Sequence, residues 1–264
     1  MLVRIIAMSL LSANVAADIF WQPYSQADPG HHAHKKSKSL QLSNLPNEIP
    51  VDIKLVHSDL EISTPSLSND VLKLQPTRKG NYHALVATLE TPDSYQQAVR
   101  YPYMNGKPVD FSPSDLLAYS TGPLRIIPSP LPREHWRYET DKTYRFKVLF
   151  NGEPYKEQPI LVSTSNGSTD VLQTDSSGLL KLHIPDDFTN VVPGKRKNPA
   201  AEIRLFANTS TDSIRYTTSF SAPYSPNPSH WKSTSLGALA AAFGLMAGLL
   251  VIRRLPEYSR RPKK

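Results

Sequence analysis

Apolar and polar positions alternate in short runs through most of this chain. Residues 51–56 (VDIKLV) place Val51, Ile53 and Leu55 on one face, the period of a half-buried strand. Tyr82–Leu89 (YHALVATL) and Gln97–Tyr103 continue the pattern, the latter running into a turn at Asn105-Gly106. Further on, Tyr144–Phe150 (YRFKVLF) sets Tyr144, Phe146, Val148 and Phe150 against Arg145 and Lys147, ahead of the hairpin dipeptide Asn151-Gly152. Leu179–Ile184, Glu202–Ala207 and Ser213–Phe220 supply the remaining strands. Short strands separated by turn signals predict an all-β fold of two tandem β-sandwich-like domains, 51–120 and 135–222.

The flanking segments read differently. Residues 18–50 lack strand periodicity and contain GHHAHKKSK, so they are expected to form an irregular His/Lys-containing arm. Residues 121–134 are proline-rich and read as a connector, and 223–232 as a stalk. Residues 1–17 have the form of a signal peptide: Arg4, an apolar stretch Ile5–Leu11, then Val15 and Ala17 at the cleavage positions before Asp18. Residues 233–252 contain no charge and are long enough, as a helix, to cross about 30 Å of hydrocarbon. The basic tail 253–264 predicts a cytoplasmic C-terminus. The expected location is therefore the inner (cytoplasmic) membrane of a bacterium, single-pass, with the β-rich portion in the periplasm. Gly237, Ala241, Gly244 and Gly248 share one helix face, where either a partner helix or lipid would sit.

Composition sharpens this picture in two places. The net charge of +7 resides in the tail, which carries +5, and in Arg4; the long middle of the chain retains only +1. A nearly neutral surface offers nucleic acid no electrostatic footprint. The chain also has no cysteine, which removes disulfides, thiolate metal sites and redox dithiols.

Residues 145–185 contain a strand ending in Asn-Gly-Glu-Pro, an Ile/Val-rich strand, and Thr-Asp-x-x-Gly ahead of another strand. This resembles the carboxypeptidase-regulatory-like β-sandwich. More closely it resembles a periplasmic family of domains of unknown function associated with nickel and cobalt uptake. The aromatic start at Ala17–Pro23 (ADIFWQP) and the segment Leu124–Pro132 are similar to that family as well. The resemblance implies a periplasmic accessory protein that captures a divalent transition metal (nickel, cobalt, copper or zinc) and docks on a membrane transporter. Members of the family often carry a histidine near the processed N-terminus, where this chain has Asp18.

Candidate ligands are read from the chain itself. His31, His32 and His34 form the densest imidazole group, beside the repelling charges of Lys35, Lys36 and Lys38. His83 lies on a predicted strand, and His183 shares a polar face with Lys181. His135 sits in PREHWRY (132–138), which reads either as an anion or metal site at the domain junction or as an ordinary loop packing Trp136. No nucleophile elbow, zinc-protease helix or phosphate loop is present, so no enzymatic activity is expected. The other reading is a non-catalytic envelope interaction module that binds no metal.

Overall fold

The computed structural model describes residues 18–24, 37–46, 49–76, 79–104, 106–119, 122–132, 137–194, 197–232 and 234–254. The proposed signal peptide (1–17), His31, His32, His34, His135 and the tail from 255 onwards lie outside the described residues. The fold is mainly β, as the alternating pattern predicts. In chain order the strands are β1 (Phe20–Pro23), β2 (Lys38–Ser43), β3 (Asp52–Val56), β4 (Ile62–Ser63), β5 (Val71–Leu74), β6 (Ala84–Thr91), β7 (Ser94–Arg100), β8 (Leu124–Pro128), β9 (Tyr138–Glu139), β10 (Thr143–Phe150), β11 (Glu153–Pro154), β12 (Pro159–Thr164), β13 (Thr169–Gln173), β14 (Leu179–His183), β15 (Ala201–Thr211) and β16 (Ile214–Ser225). The helices are α1 (Pro113–Ala118), α2 (Pro228–Trp231) and α3 (Thr234–Arg254).

The central feature is one large sheet, ordered β13-β12-β15-β16-β7-β6-β3-β4, with β9 pairing against the end of β16. It joins the two segments that the sequence pattern separates. β7 and β16 pair in parallel from Ser94↔Arg215 to Arg100↔Ser221. Residues 51–120 and 135–222 therefore share a sheet and do not form two independent ones. Parallel partners need no local turn and leave no signature in the intervening chain, which explains why periodicity alone suggests a boundary.

Two smaller sheets cover opposite faces of the large one. The period-2 alternation of the central strands shows this directly. On β6, Ala84 and Val86 enter one core while Leu85, Ala87 and Leu89 enter another; on β7, Val99 and Ala98 divide in the same way. The first core lies under β8, β10 and β14, with Phe146, Leu180 and Ile203 wholly buried. The second lies under β1, β2 and β5, with Trp21, Leu42 and Leu72 inside.

The second core corrects the expectation of an irregular arm over 18–50. Phe20–Pro23 and Lys38–Ser43 are strands in register, Trp21 opposite Leu42, and Leu40 then pairs with Leu72 of β5. Trp21 donates its indole N–H to the Ala98 carbonyl at 3.2 Å, so the aromatic segment around Phe20 and Trp21 is a core anchor. The connector expectation for 121–134 needs a similar correction. Leu124, Ile126 and Pro128 alternate inward and form β8, which pairs with β10. Pro128 is tolerated because β8 is an edge strand, paired among the described strands with β10 alone.

Turn chemistry follows the sequence at several positions. Asn151 and Gly152 both have positive φ, closing the β10–β11 hairpin. The Asp175 carboxylate accepts from the Ser177 and Leu179 backbone N–H groups, which fixes the turn into β14. The β15–β16 hairpin turns on Asp212 and Ser213, both at positive φ without glycine.

Candidate functional site

β16 changes neighbours near its C-terminal end. It pairs with β7 as far as Ser221, and with β9 from Tyr224 onwards. Ala222 and Pro223 lie between, and Pro223 has no N–H to offer a ladder. The chains leaving β7 and entering β9 diverge there, and a cleft of about 550 Å³ opens in the gap. Its lining comes from both faces of the sheet: Arg100 and Glu202 on one side, Tyr101, Tyr138 and Phe220 from the opposite core, and Lys38 from β2.

A buried ion pair forms one wall. Arg100 Nη1 and Nη2 donate to the two Glu202 carboxylate oxygens at 2.5 and 3.0 Å, and Nη1 also reaches Ser221 Oγ at 3.2 Å. Both side chains are less than a tenth exposed. The small Ser221 lets the guanidinium reach from β7 over β16 to β15. Lys38 and Arg137 stand at the exposed rim. Partial burial of the Lys38 ammonium, and then the nearby Arg100 and Arg137 charges, hold its pKa below the usual lysine range; Glu202 pulls weakly the other way.

Tyrosines make up much of the rest. Tyr82 donates to the Pro132 carbonyl at 2.7 Å and packs edge-on to Tyr103. The Tyr138 ring stacks on Phe146 and meets Tyr144 and Phe220 edge-on. Its hydroxyl is buried without a hydrogen-bond partner among the described residues. Burial above all, with the neighbouring phenols of Tyr82, Tyr144 and Tyr101, pushes the Tyr138 pKa well up, so the group stays protonated. Of the segment PREHWRY, Pro132, Arg137 and Tyr138 line this cleft; 133–136 lie outside the described residues.

Of the predicted ligands, His83 and His183 lie among the described residues, and neither lines the cleft. His83 lies just before β6, where it is fully buried and packs edge-on against His57 at 5.4 Å between ring centroids. Burial, and then the His57 ring, push its pKa down to about 4. His183 is exposed and meets Thr143 Oγ1 across the β10–β14 ladder. Among the described residues, one trio has metal-ligating atoms within 4.8 Å of one another: Asp141, Asp186 and His230. His230 Nε2 lies 3.2 Å from Asp141 and Nδ1 3.6 Å from Asp186. These residues come from a turn, a loop and α2, and nothing in their spacing along the sequence marks them. Asp18, where the resembled family often has histidine, is buried against Arg215 at 3.0 Å, and burial outweighs that arginine to push its pKa up to about 6.

After the sheet comes α3. Every residue of α3 whose side chain is described, 237–251, is exposed, including Leu239, Phe243, Leu245 and Leu249. Among the described residues, no helix is long and apolar enough to cross a membrane. The uncharged segment of the sequence extends past those fifteen residues on both sides, from 233 to 252.

No family model and no curated protein matches this chain. Among solved structures it is similar to a tetra-tandem repeat from the extending region of a large adhesion protein (11% identity, TM-score 0.25, 80% of this chain and 49% of that one). It is also similar to part of a 1.5-MDa bacterial ice-binding adhesin (10%, 0.26, 80% and 65%). A third is a Ca2+-stabilized, ice-binding adhesin of an Antarctic bacterium (10%, 0.25, 80% and 50%). The chain thus spans about half to two-thirds of each of these structures, and likeness at these scores carries no argument about fold or function.

Two outcomes follow from the site. Arg100→Met leaves Glu202 buried and unpaired, and is expected to cost about 3–5 kcal/mol in urea denaturation. The double variant Arg100→Met/Glu202→Met recovers most of that loss. His83 titrates near pH 6.5 when unfolded but near 4 when folded, so its contribution is intact above pH 6.5 and is lost as pH falls towards 4. The loss amounts to about 3 kcal/mol. Unfolding measured from pH 7 to 4 should show a shallower decline for His83→Leu than for the wild type.

Proposed function

We propose that this chain is a non-catalytic binding module of a bacterial envelope, tethered to the inner membrane by α3, with its β-rich portion in the periplasm and its basic tail in the cytoplasm. The observation that carries the reading is α3 itself. Its described side chains are exposed and uncharged on every side, and no strand covers them. An apolar surface of this kind is unfavourable in water and suits a bilayer. The sequence extends it to the length of a span and ends it in arginines. The cleft supplies the binding surface. Its described lining contains no histidine, and its one carboxylate is held by Arg100, which supports a role in recognition over bond chemistry. An added Cβ at Gly237, Gly244 or Gly248 would meet nothing within 4 Å, so that helix face is open to a membrane-protein partner.

The test is topological. Expressed in a Gram-negative host, the full chain should stay in the membrane through alkaline carbonate extraction. Protease added to spheroplasts should remove the β-rich portion. Replacing Leu245 and Leu249 with lysine should release the chain. Recovery of the wild type in the carbonate extract, or protection of the β-rich portion from outside protease, would contradict the reading.

A second reading is metal handling for a nickel- or cobalt-type transporter. The clustering of Asp141, Asp186 and His230 favours it, alongside His31, His32 and His34. Calorimetric titration of nickel, cobalt, copper and zinc into the chain distinguishes the two sites. Binding lost in the triple His31/His32/His34→Ala variant places the metal on residues 31–34, and binding lost in His230→Ala places it beside α2. No binding by the wild type would end the metal reading.

A further inference from the structure

We propose that the cleft where β16 exchanges β7 for β9 binds an organic anion, its aromatic or apolar body seated among the tyrosines and its acidic group held by Lys38 and Arg137 with the Tyr138 hydroxyl at the floor. This rests on the reading of the protein as a binding module and names the ligand class.

The cavity volume, about 550 Å³, suits a small molecule. Charge decides which kind. Three cations and one carboxylate line the cleft, and the bidentate Arg100–Glu202 pair neutralises one of the cations internally. Among the described residues of the lining, Lys38 and Arg137 remain at the rim with no carboxylate bonded to them. Burial is the main cause of the lowered Lys38 pKa, and crowding by the Arg100 and Arg137 charges adds to it, since each neighbouring cation disfavours the protonated amine. An anion between Lys38 and Arg137 relieves that crowding.

The floor gives an independent indication. Tyr138 is 5% exposed, and its hydroxyl has no hydrogen-bond partner among the described residues. Leaving such a group unpaired in the interior is unfavourable. A phenol held protonated is a hydrogen-bond donor, and an anionic acceptor fits it. Tyr101 and Phe220 pack around Tyr138 and supply apolar faces for the remainder of the ligand.

The test uses the full chain in phosphatidylcholine nanodiscs. Benzoate and phenyl phosphate are the probes, with benzyl alcohol and inorganic phosphate as controls, each titrated by calorimetry. At least one aromatic anion should bind at one site per chain, about tenfold or more tighter than either control, the worth of one hydrogen bond to a charged group. The tighter of the two aromatic anions identifies the acidic group as carboxylate or phosphate. Lys38→Met/Arg137→Met should weaken binding by about tenfold or more. Tyr138→Phe should weaken it while melting no lower than the wild type, because the hydroxyl it removes has no hydrogen-bond partner among the described residues. Binding should also weaken as pH rises through the lowered Lys38 pKa. Failure of both aromatic anions to bind, equal binding of benzyl alcohol, or unchanged affinity in both variants would overturn the proposal. None of these outcomes bears on carbonate extraction or protease access, so a failed anion site and a failed tether are told apart.

Discussion

The parallel pairing of β7 with β16 is the constraint on which the rest of the structure depends. It draws together strands that lie far apart in the chain and makes one sheet from two segments, each of which alternates convincingly by itself. Because that sheet is shared, its two faces need separate covers. The β8–β10–β14 layer closes one and the β1–β2–β5 layer the other, so the cores are divided by side-chain parity on β6 and β7 rather than by position along the chain.

The site is a consequence of the same strand. β16 is too long for β7 to accompany to its end, and Pro223 interrupts the edge where β9 takes over. The gap exposes backbone and side chains that a continuous ladder would cover. The fold places an ion pair there. Arg100 and Glu202 satisfy each other across Ser221, which keeps the buried wall neutral and leaves the rim cationic. Separating a neutral wall from a charged rim suits recognition, because charge at the rim is met before the ligand is desolvated.

Much of the local structure is legible in the sequence. Alternation locates the strands over 51–56, 82–89, 144–150 and 179–184, and Asn151-Gly152 marks its hairpin. Legibility ends where position depends on distant partners. β1 and β2 are short, and what makes them strands is Leu72 and Leu74 of β5, which Leu40 and Lys38 meet in register. β8 is masked by prolines that are tolerated on an edge strand. That His83 is buried against His57 is likewise invisible in the sequence. The cleft is the least legible feature: PREHWRY points towards it through Arg137 and Tyr138, but Lys38, Arg100 and Glu202 come from three strands whose adjacency no local pattern encodes.

The most direct measurement is equilibrium unfolding of the chain followed by two probes, one in each half: a fluorescent label at the exposed position Glu61, near β3–β4, and a second at exposed Val171 on β13. If the β7–β16 pairing unites the fold, both probes report one transition with the same midpoint, and Phe220→Ala on β16 shifts the two together. Two separate midpoints, or a Phe220→Ala shift confined to the Val171 probe, would contradict the shared sheet and restore two independent sandwiches.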